Sequence, residues 1–119
     1  MKILYVEDNK ANAYLLKIML RGHQVDLAYS AGEALRMLEN NLYDLIFLDI
    51  NLGNDEMDGV ELMQIIKKLP RFNNVPICTI TAYAMPSDEK RFLEAGFDKY
   101  FSKPIDRSVL LRSINEFAS

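Results

Sequence analysis

The sequence predicts an α/β fold in which an open, parallel, five-stranded sheet carries helices on both faces. Two patterns support this prediction. Short apolar segments alternate five times with segments of helical periodicity, and the connections between them are short. The segment 45–48 is apolar throughout, as expected of a central strand that is buried on both faces. The chain has 119 residues, 50% of them hydrophobic, and we expect one domain over residues 1–119.

The first half of the chain contains three predicted strands and two predicted helices. Asn9 can cap the first helix, in which Ala11, Leu15 and Ile18 recur at helical spacing. We therefore expect these three residues to form the buried stripe of that helix. The predicted elements are a strand (2–6), a helix from Asn9 to about Arg21, a strand (24–29), a helix opened by a capping box at 30–33 and the strand 45–48.

The second half repeats the alternation. The fourth helix has a thin apolar face, with Phe92 and Leu93 as its expected anchors. The predicted elements are a helix opened by Asp58 and stopped by Pro70, a strand (75–80), a helix from Pro86 to Gly96, a strand (99–102) and a helix (106–117).

Composition argues against several classes of function. The net charge is −3 and no Lys/Arg stripe stands out, so we expect no direct nucleic-acid partner. One cysteine, Cys78, and one histidine cannot form an internal disulfide or the usual zinc site. No apolar stretch approaches the roughly 20 residues that span a bilayer, and no signal-peptide pattern precedes the first strand. We therefore expect a cytoplasmic protein without membrane contact.

Acidic residues follow two of the predicted strands at their carboxyl ends. Glu7 and Asp8 come after the first strand, and Asp49 comes after the third. In open parallel sheets the functional crevice lies at the carboxyl ends of the strands, where the strand order reverses. Three carboxylates in one crevice repel one another, raise each other's pKa or bind a hard cation such as Mg²⁺.

Thr81 and Lys103 follow the fourth and fifth strands at the same edge of the sheet. With a metal present, Asp49 could attack phosphorus as a carboxylate nucleophile and form an aspartyl-phosphate. Lys103 would then bind one phosphoryl oxygen, and the Thr81 hydroxyl would donate a hydrogen bond to another. Each residue alone also has an ordinary structural explanation, such as a strand end or an exposed lysine. Their occurrence at successive strand ends favours a site.

These residues resemble the receiver domain of response regulators, over essentially the whole chain. The resemblance rests on the segments 6–9, Asp49 after an apolar strand, Asp58-Gly59, Thr81-Ala82 and Lys103-Pro104. It implies a flavodoxin-like, doubly wound sheet of order 2-1-3-4-5 with five helices. It also implies a stand-alone module of two-component signalling, which catalyses only its own phosphorylation and dephosphorylation and is not otherwise an enzyme.

The same resemblance implies a phosphoacceptor and its metal site. Asp49 would accept a phosphoryl group from a sensor histidine kinase or a histidine phosphotransfer protein. Mg²⁺ would be bound by Asp8, Asp49 and the backbone carbonyl of Asn51, with Glu7 acting indirectly. Lys103 would complete the catalytic set together with Thr81.

Further roles implied by the resemblance are structural or concern signal output. The peptide bond before Pro104 would be cis, and Gly59 would have a structural role. Thr81 and Tyr100 would form a switch pair that reshapes the surface of the fourth helix, fifth strand and fifth helix. A downstream effector protein would recognise that surface.

The loop 50–57 departs from the commonest family pattern. It is about two residues longer and carries Leu52-Gly53 in place of a Met-Pro pair, while Asp55 and Glu56 add negative charge. Asn51 and Tyr83 occupy positions that tune phosphoryl lifetime in similar proteins. In the first helix, Tyr14, Leu15, Ile18 and Met19 exceed what one buried stripe needs. Part of this helix could contact a kinase-side helix, or these side chains could simply cover the sheet.

Three other interpretations remain open from the sequence. The chain could be a receiver domain cut from a hybrid kinase. It could be a phosphatase with an aspartate nucleophile, although haloacid-dehalogenase enzymes carry a second Asp where this chain has Asn51. A nucleotide- or flavin-binding domain is least favoured, because Glu7-Asp8-Asn9 stands where a Gly-rich phosphate loop is needed.

Overall fold

A computed structural model of the protein describes residues 1–53 and 57–118. In these residues five strands form one parallel sheet in the order β2-β1-β3-β4-β5. The strands are β1 (Lys2–Val6), β2 (Gln24–Ala28), β3 (Leu45–Leu48), β4 (Ile77–Thr81) and β5 (Lys99–Ser102). The helices are α1 (Lys10–Met19), α2 (Ala31–Asn40), α3 (Gly59–Lys67), α4 (Pro86–Ala95) and α5 (Arg107–Ala118), with a short 3₁₀ turn at Pro70–Phe72. The predicted fold class and strand order are confirmed.

The strand order reverses between β1 and β3, which are direct neighbours. Val6 pairs with Leu48 at the carboxyl ends of these two strands, and the Asp49 amide donates to the Val6 carbonyl at 3.0 Å. The residues that follow the two strands, Glu7 and Asp49, therefore emerge side by side. This register places the predicted acidic crevice at the reversal point.

Two apolar layers form the core, one on each face of the sheet. Alternation along β1 sends Leu4 and Val6 to the face covered by α2, α3 and α4. Ile3 and Tyr5 point to the face covered by α1 and α5. All four residues of β3 are buried, as the apolar run predicted.

The predicted buried stripe of α1 is wrong. Leu15 and Ile18 are 51% and 46% exposed, and the residues that face the sheet are Ala13, Leu16 and Leu20. The helix carries apolar residues on two adjacent faces, so two different sets satisfy helical spacing. The sheet selects the set that begins with the small side chain of Ala13. As a result, α1 exposes apolar surface.

Two smaller predictions also need correction. β4 begins at Ile77 rather than at residue 75, because Pro76 has no N–H for the ladder; the Asp98 carboxylate accepts the Ile77 N–H at 2.7 Å. In α4, Phe92 is buried but Leu93 is 40% exposed, so Phe92 alone anchors the middle of the helix. Among the described residues, no helix has the length and apolarity needed to cross a membrane.

Candidate functional site

Three carboxylates meet where β1 and β3 end. Glu7, Asp8 and Asp49 each offer an oxygen, and these oxygens lie within 4.8 Å of one another. Glu7 is fully buried and Asp49 is 5% exposed, whereas Asp8 faces solvent. The predicted juxtaposition of these three residues is therefore present in the structure.

The first turn of α3 packs closely against the backbone of Asp49 and Ile50. Gly59 is the first residue of α3, and its N–H donates to the Ile50 carbonyl at 2.9 Å. A Cβ at Gly59 would lie 2.2 Å from the Asp49 carbonyl oxygen and 2.8 Å from the Ile50 Cα. Helix α3 can therefore begin directly behind the end of β3 only because Gly59 has no side chain.

Lys103 bridges two of the three carboxylates. Its Nζ lies 2.7 Å from Glu7 Oε1 and 2.8 Å from Asp49 Oδ2. The backbone of Lys103 is fixed by its N–H, which donates to the Thr81 carbonyl at 2.9 Å. The following peptide bond, Lys103–Pro104, is cis, the isomer that the resemblance implies.

Burial and charge shift the pKa values of this group. Burial, together with the adjacent Asp49 carboxyl, raises the pKa of Glu7 to about 7, although Lys103 opposes the rise. Burial alone would lower the pKa of Lys103, but the bonds to Asp49 and Glu7 outweigh it and raise that pKa. Lys103 therefore remains a cation at neutral pH and offsets part of the negative charge.

The donor set fits a hard divalent cation. Glu7 Oε2 is buried and has no hydrogen-bond partner among the described residues. An orphaned carboxylate oxygen beside two further carboxylates is a pattern that a cation or its bound water satisfies. Oxygen ligands from one or two carboxylates, completed by water, are the set that Mg²⁺ prefers.

The carboxylates line an open cleft of about 430 Å³. Its walls come from the carboxyl ends of β1, β3, β4 and β5 and from the loops that follow them. The lining residues are Glu7, Asp8, Asn9, Asn12, Asp49, Asn51, Thr81, Ala82, Tyr83 and Lys103. The cleft thus brings together the predicted acceptor, metal ligands, lysine and threonine, while Tyr100 lies outside its lining.

Tyr100 is connected to Thr81 through the backbone of Tyr83. The Tyr83 N–H donates to Thr81 Oγ1 at 3.3 Å, and the Tyr100 hydroxyl donates to the Tyr83 carbonyl. The Tyr100 ring also stacks on Phe92 of α4, with centroids 6.3 Å apart and planes 22° apart. The sequence predicted Thr81 and Tyr100 as a pair but did not predict the contact between Phe92 and Tyr100. The only signal for that contact was the predicted role of Phe92 as an apolar anchor of α4.

The loop after β3 is anchored at its start. Leu52 is 4% exposed and packs in the core. The Asn51 N–H donates to Asp49 Oδ1 at 3.2 Å, and Asn51 Oδ1 accepts from the Gly53 N–H at 3.1 Å. Asp55 and Glu56, which were expected to add charge beside the cleft, lie outside the described residues.

Comparison with known proteins agrees with this geometry. The family model described as the response regulator receiver domain matches residues 3–115. The polar-differentiation response regulator DivK of Brucella ovis is 31% identical, over 97% of this chain and 94% of its own length. The signal transduction histidine-protein kinase BarA of Escherichia coli is 32% identical over 92% of this chain, which spans only 12% of that protein.

A solved structure with the same fold is the receiver domain of the sensor histidine kinase PA1611 from Pseudomonas aeruginosa. It is 34% identical, covers 99% of this chain and 98% of its own, and superposes with a TM-score of 0.87. That structure carries a magnesium ion coordinated in its active-site cleft. The fold, the strand-end cleft and these matches together show that the chain belongs to the response regulator receiver domain family.

Proposed function

We propose that residues 1–119 act as one receiver domain in which Asp49 accepts a phosphoryl group from a histidine of a sensor kinase or phosphotransfer protein. The observation that carries this assignment is the position of the Asp49 carboxylate. Its Oδ1 accepts from the Asn51 N–H and its Oδ2 from Lys103, in a cleft that is open to solvent. Both oxygens are thus oriented in a site that a phosphodonor can enter.

The transfer itself requires one bond to form and one to break. A carboxylate oxygen of Asp49 bonds to phosphorus, the bond between phosphorus and the donor imidazole breaks, and its electron pair stays on the imidazole nitrogen. Lys103 would bind a phosphoryl oxygen, and its position 2.8 Å from Asp49 Oδ2 supports this role. The hydroxyl of Thr81, which lines the cleft, would donate a hydrogen bond to another phosphoryl oxygen.

Mg²⁺ is the proposed cofactor of this site. Asp8, Asp49 and the backbone carbonyl of Asn51 would hold it, and Glu7 would act indirectly, through a bound water. When bound, the cation would offset the repulsion between the phosphoryl oxygens and the three carboxylates. The magnesium ion in the receiver domain of PA1611 supports this proposal.

We infer from the bonds around Tyr83 how phosphorylation would change the surface of the protein. A phosphoryl group that accepts a hydrogen bond from the Thr81 hydroxyl would reorient this side chain, whose oxygen accepts the Tyr83 N–H. Any shift of that peptide unit changes the carbonyl to which Tyr100 is bonded. We therefore infer that phosphorylation alters the surface formed by α4, β5 and α5, and that a downstream effector protein binds there.

The partner on the input side would contact α1. Tyr14, Leu15 and Ile18 are 62%, 51% and 46% exposed, and Met19 is partly buried beside them. Contiguous exposed apolar side chains suit a helix of a kinase or phosphotransfer protein. Tyr14→Ala with Ile18→Ala should slow transfer from such a partner but leave uptake from a small phosphodonor unchanged. Leu42→Ala, which removes a 61% exposed leucine before β3, is the matched control.

The central test uses a small phosphodonor with Mg²⁺ and intact-mass measurement. The wild type should gain one phosphoryl group that is stable in acid and labile in base, and Asp49→Asn should gain none. Unchanged uptake by Asp49→Asn would refute the assignment. Sustained turnover of a generic phosphomonoester would instead favour the phosphatase interpretation.

A further inference from the structure

Gly53 is the point at which the loop after β3 meets the Asp8 carboxylate. Leu52 is buried in the core, and the Asn51 side chain binds the Gly53 N–H at 3.1 Å. These two anchors fix residue 53 in place from the preceding side. A Cβ built on Gly53 would lie 2.3 Å from Asp8 Oδ2 and 3.3 Å from Asp8 Cγ.

The atom that a Cβ at residue 53 would meet determines which part of the structure a side chain there would disturb. Asp8 Oδ2 is the free end of a solvent-facing side chain, which can rotate away without disturbing the core. By contrast, a Cβ at Gly59 would meet backbone atoms. A side chain at residue 53 is therefore tolerable to the fold but displaces one carboxylate of the acidic group.

We propose that Gly53 is a positioning residue for the metal site: its bare Cα leaves Asp8 free to hold the orientation that a small divalent cation requires. This inference rests on the proposed function, in which Asp8 is a magnesium ligand. It assigns to Gly53 a role that its backbone angle alone does not explain.

The backbone angle supplies the rival explanation, which a second glycine can separate. Gly53 has a φ of +67°, where an L-residue is strained by about 1–2 kcal/mol. Gly22 also has a positive φ, +102°, but no heavy atom of the described residues lies within 4 Å of its Cβ position. Gly22→Ala therefore introduces backbone strain without touching a carboxylate.

The test is a calorimetric titration of the full chain with Mg²⁺ alone, together with thermal unfolding in the absence of metal. Gly53→Ala should bind Mg²⁺ at least tenfold more weakly than the wild type, the lower end of the 10–100-fold loss seen when supporting contacts of a metal ligand are removed. Ca²⁺ affinity should fall less, because that ion accepts a looser geometry. Gly22→Ala should lose a comparable amount of stability and keep its metal affinity.

Each alternative result has a definite meaning. If Gly53→Ala binds Mg²⁺ within twofold of Gly22→Ala, the positioning role is wrong. If Asp8→Ala binds Mg²⁺ like the wild type while Gly53→Ala does not, Gly53 acts through another group and the proposal is again wrong. If the wild type itself binds no Mg²⁺, the metal site of the proposed function fails first, and the role of Gly53 fails with it.

Discussion

Replacing Gly59 with alanine should strongly destabilise the protein, and the structure gives the scale of the effect. The new Cβ would lie 2.2 Å from the Asp49 carbonyl oxygen, about 1 Å inside normal contact distance. The atoms that this Cβ would meet, the Asp49 carbonyl oxygen and the Ile50 Cα, both belong to the backbone. The first turn of α3 must therefore move away from the end of β3. This movement also strains the bond from the Gly59 N–H to the Ile50 carbonyl.

We expect a loss of about 3–5 kcal/mol in the free energy of unfolding, the range of severe overpacking with a disrupted hydrogen bond. Gly32→Ala is the matched control. Gly32 also lies in the first turn of a helix, but no heavy atom of the described residues is within 4 Å of its Cβ position. That variant should gain about 0.5–1 kcal/mol, because alanine is the better helix former.

Urea unfolding followed by far-ultraviolet circular dichroism measures both variants, with linear extrapolation to water. The two glycines should shift stability in opposite directions. A Gly59→Ala variant within 1 kcal/mol of the wild type would show that α3 does not contact β3 as described. Because the contact lies behind the proposed acceptor, Gly59→Ala should also lower the rate of phosphoryl uptake.

Four further predictions concern single groups. In the metal-free protein, the free energy of unfolding should fall by roughly 2–3 kcal/mol between pH 4.5 and 7, because the pKa of Glu7 is about 7 in the folded state and near 4.5 in the unfolded state. Urea unfolding across this range measures the fall, and Glu7→Gln should remove most of this pH dependence. Burial raises the pKa of the Cys78 thiol to about 12, so a thiol reagent should label it only after unfolding. Thr79→Val should raise the free energy of unfolding by about 1 kcal/mol, because the buried Thr79 hydroxyl has no partner among the described residues. Asp98→Ala should lower it by about 1–2 kcal/mol, since its carboxylate accepts the Ile77 N–H at 2.7 Å; chemical denaturation measures both variants.

Patterns that depend on the sheet were readable from the sequence. The apolar run of β3 matches the observed strand, and β5 has the predicted bounds, because strand length and burial leave direct marks in residue type. The crevice was predictable for the same reason: the carboxyl ends of parallel strands meet at one edge, so residues after β1 and β3 must come close.

Contacts that depend on side-chain direction were not readable. In α1 two apolar sets satisfy helical spacing, and only packing against the sheet selects Ala13 and Leu16 over Leu15 and Ile18. The approach of residue 53 to Asp8 depends on the path of a loop of irregular length. The bridge from Lys103 to both Glu7 and Asp49 depends on strand order, which the residues alone did not determine.

The bond between Lys103 and Glu7 joins residues 96 positions apart in the chain. Glu7 follows the central strand β1, and Lys103 follows β5, which is the last strand of this sheet in chain order and the outermost on its side. No fragment lacking either end contains the assembled cleft. Phosphoryl uptake would therefore depend on complete folding. A molecule in which β5 has not yet joined the sheet lacks the Lys103 ammonium in the cleft and would not be phosphorylated.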